Sequence, residues 1–329
     1  MVGRSSEGDS NRLSSVPLVV LVGPTATGKS SLALALAERV GGEIVAADSM
    51  QVYRGLDIGT AKPSADDRSR IPHHLIDIVD PDQPFTAADY VKLASAAIVE
   101  IRARRRLPIV VGGTGLYIRA LFYGLFDGPG GMTPLRETLY QEASRVGSAI
   151  LHRRLETIDP ESAAAIHPND LFRIVRALEV ATACGRPIST LRLEARRNHR
   201  PVPGPVLRFA LDRSRHKLYQ RIEARVEAMM AQGLLREVRN LLDQGYAGTL
   251  RPLRAIGYRH MIEHLTGQTR LDEAVASLKR DTRRYAKRQL TWFRHQDEIE
   301  RLLVEGSAAD ERILHVLVER IEATWLRAA

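Results

Sequence analysis

The run Gly23-Pro24-Thr25-Ala26-Thr27-Gly28-Lys29-Ser30 constrains this chain more than any other stretch, because it satisfies every fixed position of G-x-x-x-x-G-K-[ST]. An apolar run over 17–23 precedes it and an Ala- and Leu-rich segment over 29–39 follows, so the loop joins a strand to a helix. In that setting the glycines let backbone N–H groups curl inward at the positive end of a helix dipole, which makes an anion cradle. Lys29 adds a mobile positive charge, and Ser30 a hydroxyl able to hold Mg²⁺. A phosphate or diphosphate is the expected ligand.

Four further apolar runs, over 43–48, 74–79, 108–112 and 207–211, read as strands buried on both faces, which suits a parallel sheet covered by helices. A helix is expected over 86–104, opened by the capping pair Thr86 and Asp89. The fold class is therefore α/β: a P-loop NTPase-like core, its parallel sheet flanked by helices, plus a small all-helical insertion domain. The expected divisions are a disordered leader over 1–16 and a core over 17–127 and 201–300. A helical insertion over 128–200 and a C-terminal helical tail over 301–329 complete them. Thr133-Pro134 and Asn169-Asp170 mark helix starts in the insertion, and Gly185 with Pro187 marks a stop.

The polar leader lacks the apolar block of a signal peptide, and no stretch is long and apolar enough to cross a membrane. Cys184 is the only cysteine, which rules out an intramolecular disulfide and any multi-cysteine metal site. These features point to the cytoplasm, and a monomer is expected. A net charge of +9 favours an anionic partner, nucleic acid above all.

Asp48 ends the second expected strand, and ligands of open α/β sheets bind beyond the carboxyl ends of strands, so it should face the same crevice as the glycine loop. Position alone leaves a turn or cap aspartate as the other reading. The fourth strand ends in Gly112-Gly113-Thr114-Gly115, without the carboxylate that nucleotide hydrolases and kinases place there, while Asp77 and Asp80 stay open as metal ligands. A P-loop small-molecule kinase or NTPase is therefore the alternative reading. Residues 279–294 hold seven Lys and Arg against one Asp. At helical spacing Ala286, Leu290 and Phe293 form an apolar side, and Arg280, Arg284, Lys287 and Arg288 a basic one, as RNA binding requires. A solvated helix face is the plainer reading.

Several blocks, taken in order, resemble the tRNA dimethylallyltransferase (tRNA isopentenyltransferase) family of bacterial type. They are the glycine loop; the run from Asp48 through Gln51, Tyr53 and Gly59 to Pro63; His73 to Asp77; Val111 to Tyr117; and Asn169-Asp170 with Arg173, Arg176 and Glu179. Two more follow, Ala255 to Arg259 and Tyr285 to Arg294. Eukaryotic relatives carry a C-terminal zinc finger, which a chain with one cysteine cannot build. The resemblance implies transfer of a dimethylallyl group from dimethylallyl diphosphate to N6 of the adenine at tRNA position 37, 3′ of the anticodon, with Mg²⁺ as cofactor.

The implied site is residue-specific. Asp48 would be the base for N6, and Thr114 would stand at the reaction centre. The glycine loop (Gly23 to Ser30) with Arg225 would hold the diphosphate, and Ser30 the metal. Asp48, Ser49, Met50, Gln51 and Thr114 would meet the extruded adenine. The tRNA anticodon stem-loop would be held by Arg254, Tyr258, Arg259, Arg284, Lys287 and Arg288. In the insertion, Arg136, Phe172, Arg173, Ile174, Val175 and Arg176 would do the same. The apolar slot for the prenyl tail is not assignable at this level.

Overall fold

The computed structural model describes residues 16–130, 134–199, 202–296, 298–306 and 311–328. The leader expected over 1–16 lies outside them apart from Val16, as does Thr133. Two compact units are present, one built from residues up to Leu121 and from Val202 onward, the other spanning Phe122–Pro201.

The first unit opens with β1 (Leu18–Val22), α1 (Lys29–Val40), β2 (Gly42–Ala47), α2 (Ala65–Arg70), β3 (His73–His74), α3 (Ala87–Ala103), β4 (Leu107–Gly112) and α4 (Gly115–Tyr123). The second unit holds α5 (Pro134–Val146), α6 (Ser148–Ile158), α7 (Pro160–Ala165), α8 (Leu171–Cys184) and α9 (Ile188–Asn198). The chain then returns to the first unit through β5 (Val206–Asp212), α10 (Arg215–Gln232), α11 (Leu234–Asp243), α12 (Tyr258–Leu265), α13 (Leu271–Arg294), β6 (Glu300–Leu303) and α14 (Glu311–Ala328).

The strands form one parallel sheet in the order β3-β2-β4-β1-β5-β6. β1, β2 and β4 are buried throughout, as expected of parallel strands covered on both faces. α1 lays Leu32, Ala33, Leu36 and Ala37 on the sheet, and α14 covers it with Ile313, Leu314, Leu317 and Ile321. Each such leucine or isoleucine removed from water contributes about 2 kcal/mol. The Thr86 and Asp89 capping pair starts α3 as expected, with Asp89 N–H donating to Thr86 Oγ1 at 3.2 Å.

Two elements differ from the sequence expectation. The strand expected over 74–79 is only His73–His74, because Leu75 (φ 64°) and Asp77 (φ 56°) adopt left-handed backbone that a strand cannot continue. The backbone instead turns to Gln51 and Val52, where the Asp77 and Ile78 N–H groups donate to their carbonyls at 3.2 and 2.8 Å. The C-terminal tail, expected to be helical, also supplies β6 at the sheet edge; a short, largely exposed strand carries too little apolar signal to be read.

In the second unit, Leu139, Leu151, Leu155, Ile174, Val175 and Leu178 form a separate core. Asp159 caps α7 by accepting from Ser162 N–H at 3.0 Å, and also takes the Ser189 N–H at 3.0 Å from α9.

Candidate active site

Strand register assembles the site. Val22 of β1 and Ala47 of β2 both stand level with Gly112 of β4, so the next residues, Gly23, Asp48 and Gly113, leave the sheet at one height. These turns open into a cavity of about 400 Å³. The glycines are needed for close approach: a Cβ on Gly23 (φ 144°) would lie 2.6 Å from the Leu211 carbonyl oxygen.

The glycine loop is braced from behind by donors to its carbonyls. Thr27 Oγ1 and Lys29 Nζ donate to Pro24 O at 2.8 and 2.7 Å, and Arg221 Nε to Ala26 O at 2.9 Å. Arg213 Nη2 reaches Thr27 O at 3.3 Å. Thr25, Lys29 and Ser30 line the cavity. Thr27 is fully buried and its hydroxyl is committed to the loop, so its side chain holds the cradle's shape.

Arg225 of α10 lines the same cavity, as expected. Burial, then the Arg225 guanidinium, brings the Lys29 ammonium down to about 7, with Asp48 opposing. Burial likewise depresses Arg225, again opposed by Asp48. Two cations and one carboxylate thus share a desolvated space, an arrangement that favours a polyanionic guest.

Asp48 lines the cavity with Ser49, Met50 and Gln51. Its Oδ1 accepts N–H groups from Met50 at 2.8 Å and Gln51 at 3.4 Å, which orients the carboxylate. Thr114 is placed beside it but is not itself a wall of the cavity. Its Oγ1 accepts the Ser49 N–H at 3.0 Å, and its own N–H donates to Ala47 O at 3.2 Å. A hydroxyl accepting in this way keeps its proton to donate.

α13 supplies the opposite wall through Leu278, Thr282, Tyr285, Arg288 and Gln289. Gln289, absent from the sequence-derived set, is buried and bridges the two key turns: Thr25 N–H donates to its Oε1 at 2.9 Å, and its Nε2 donates to Gly113 O at 2.9 Å. A signal existed, since a glutamine inside the apolar stripe of Ala286, Leu290 and Phe293 must find buried partners. Val226, Met229, Leu278, Ile256, Ile76 and Val111 give the cavity an apolar side, which sequence reasoning could not assign.

Other expectations are redistributed. Asp77 is bound by Lys62 at 2.5 Å and Arg68 at 2.6 Å, and Asp80 by Arg54 at 2.9 Å. Neither aspartate lines the cavity, so both leave the set of metal ligands. Arg254 lines the cavity. Tyr258 is a fully buried wall whose hydroxyl donates to Glu237 at 2.7 Å, rather than an outward RNA contact. Arg284 and Lys287 are exposed, and Arg288 stands over the Tyr285 ring at 5.7 Å. Arg259 pairs with Asp281, which also accepts from Arg284 at 3.3 Å.

In the second unit, Phe172 is 67% exposed and Arg173 is exposed beside Asp170. Ile174 and Val175 are fully buried, so their side chains serve the core and not RNA. Arg136 and Arg176 both pair with the buried Glu179 carboxylate, at 2.5 and 2.7 Å, which commits their charge to holding that carboxylate.

A parallel sheet, a glycine loop opening α1, a pair of half-buried cations and a facing carboxylate define a P-loop-like α/β protein built to bind a phosphorylated substrate. Comparison with known proteins narrows this. The IPP transferase family model matches residues 51–296. The tRNA dimethylallyltransferase 1 of Citrifermentans bemidjiense is 54% identical over 294 residues, 89% of this chain and 94% of the relative. Among solved structures, the full-length tRNA isopentenylpyrophosphate transferase of Bacillus halodurans has a TM-score of 0.70 at 39% identity, covering 95% of this chain and 98% of that one. A eukaryotic dimethylallyltransferase acting on tRNA has a TM-score of 0.74 at 26% identity, covering 93% and 80%. The chain belongs to the IPP transferase family.

Proposed function

We propose that this protein transfers the dimethylallyl group of dimethylallyl diphosphate to N6 of the adenine at tRNA position 37, 3′ of the anticodon, releasing diphosphate. The observation that carries this reading is the shared level of Val22, Gly112 and Ala47, which puts an anion cradle and the Asp48 carboxylate at the mouth of one cavity with an apolar side.

In this reading the diphosphate lies against the glycine-loop amides, Lys29 and Arg225, while the prenyl tail packs on Val226, Met229 and Leu278. As the adenine N6 bonds to C1 of the dimethylallyl group, the C1–O bond breaks and its electron pair leaves with diphosphate. The N6 proton passes to Asp48, which Met50 and Gln51 amides already hold in place. Lys29 and Arg225 stabilise the growing charge on the leaving group. Thr114, fixed beside Asp48 by the Ser49 N–H, keeps a proton that it can donate towards the reaction centre.

The Ser30 hydroxyl, a hard oxygen on the cavity wall, fits Mg²⁺, which keeps several waters and is held mainly by phosphate oxygens. When bound, Mg²⁺ would add positive charge to the diphosphate.

The anticodon stem-loop is read as lying along the outer face of α13, on Arg284, Lys287 and Arg288, with Arg254 beside the cavity. Phe172 and Arg173 are further contacts in the helical unit, which acts as the insertion that meets tRNA. No helix among the described residues is long and apolar enough to cross a membrane, and action in the cytoplasm is part of the proposal.

The test is prenyl transfer. Purified protein, Mg²⁺, labelled dimethylallyl diphosphate and an unmodified anticodon stem-loop are incubated, and the nucleosides are separated after digestion. Label on the adenosine 3′ of the anticodon is the expected result. Turnover of ATP without prenyl transfer would replace this reading with a kinase.

A further inference from the structure

Away from the anion cradle and Asp48, one carboxylate gathers four donors. Glu237 of α11 accepts the N–H groups of three successive residues, Asp57 at 3.1 Å, Ile58 at 2.7 Å and Gly59 at 3.2 Å, and also the Tyr258 hydroxyl at 2.7 Å. Consecutive amides aimed at one point form an anion nest, and a carboxylate seated there holds the loop through charge-assisted bonds. Tyr258 closes the loop from its other side: a Cβ on Gly59 would lie 2.5 Å from the ring. Burial and then the Glu237 charge push the Tyr258 phenol well above its ordinary value, so it stays a donor.

The clamped segment leads directly into the cavity wall. Gln51 Nε2 donates to Thr60 O at 3.1 Å and to Ala61 O at 3.2 Å. Ala61 holds φ at 48°, a conformation that a non-glycine residue keeps only where its surroundings impose it. Two carbonyl acceptors admit only the NH₂ end of an amide. Oε1 of Gln51 therefore points away from them, and Gln51 lines the cavity as an acceptor.

We infer that Glu237, together with Tyr258, is a positioning residue that sets the polarity of the Gln51 amide and thereby selects a base carrying an exocyclic amino group. This inference rests on the proposed function and deepens it. Glu237 does not reach the substrate; it acts through the backbone of residues 57–61. The adenine amino group has two N–H bonds. One proton leaves to Asp48, and the other is held by Gln51 Oε1. A base with an oxo group at that position sets acceptor against acceptor, the mismatch that a polar site rejects most strongly.

The test compares two anticodon stem-loops, identical except for adenosine or inosine 3′ of the anticodon, binding to the full chain without prenyl donor. In wild type the adenosine loop binds more tightly. Glu237→Gln lowers the adenosine-to-inosine ratio by about tenfold, the loss expected when a polar preference is released. Its affinity for inorganic diphosphate stays within about twofold, since the cradle is untouched. Tyr258→Phe lowers the ratio by about two- to threefold and decides the matter should Glu237→Gln not fold. A merely structural role weakens both stem-loops alike. An unchanged ratio in the folded variant overturns the inference, as does a wild type that prenylates adenosine yet binds both loops equally. A wild type that transfers no prenyl group to any stem-loop sinks the proposed function instead.

Discussion

The Lys29 ammonium donates to the carbonyl oxygen of Pro24 at 2.7 Å, so the cation proposed to hold the diphosphate rests on its own loop. The Lys29 ammonium is brought down to about 7 by burial and by Arg225, and a bound diphosphate would raise it again. Binding therefore takes up a proton between about pH 7 and the higher bound value. Affinity for inorganic diphosphate should be full below about pH 7 and fall as pH rises above it. Calorimetric titration of wild type against Lys29→Met isolates this effect, because the ligand's own ionisation is common to both. A wild-type-to-variant ratio that stays flat across that range would show that Lys29 does not engage the diphosphate.

Asp48→Asn keeps the shape of the turn and removes the proton acceptor. Single-turnover prenyl transfer should slow by about 10²- to 10⁴-fold, the usual contribution of a general base. Stem-loop affinity should change little. Equal loss of binding and turnover would instead make Asp48 a structural cap.

Gln289→Leu deprives the Thr25 N–H and the Gly113 carbonyl of their shared partner. Leaving buried polar groups unpaired costs about 1–3 kcal/mol each, so urea denaturation should register a loss of about 2 kcal/mol or more. Diphosphate affinity should drop with it, because the glycine loop loses its brace. A midpoint unchanged from wild type would mean that water replaces the amide.

Basic residues of similar appearance in sequence should behave differently. Removing Arg284 or Lys287, both exposed on α13, should weaken stem-loop binding and reduce the slope of log affinity against log salt by about one each. Arg136→Met should instead destabilise the helical unit by about 2 kcal/mol, since it leaves the buried Glu179 carboxylate with fewer cations. Melting curves and salt titrations on the same variants separate the two roles. An Arg136 variant with normal stability and a reduced salt slope would reverse the assignment.

Local patterns made the glycine loop, the Thr86 capping pair and the core strands legible, because each depends on neighbours in the chain. β3 is shorter than its apolar run suggests because Leu75 and Asp77 turn left-handed, a choice made by the pairing of residues 77–79 with Gln51 to Tyr53. The edge strand β6 was hidden because it is short and largely exposed, and only its pairing with the distant β5 makes it a strand. Among site residues, Asp48 and Lys29 stood out by type and block, and Arg225 by its position in the family pattern. Gln289 and Glu237 did not, since their roles consist of hydrogen bonds to backbone more than a hundred residues away.

The sequence by itself determined an α/β chain with an anion cradle after β1, a strand-end aspartate and a basic helix, and its blocks carried the family. Local physics suffices for these, because propensity, hydrophobic period and loop chemistry act over a few residues. Only the tertiary structure decided which polar groups meet. The placing of β4 between β1 and β2 sets Gly23, Gly113 and Asp48 at one level. The packing of α10 and α13 adds Arg225 and Gln289 at those turns, and the packing of α11 seats Glu237 on the amides of residues 57–59. Strand order and helix packing are satisfied by burial of the whole core, a sum over distant contacts that no single stretch of sequence contains.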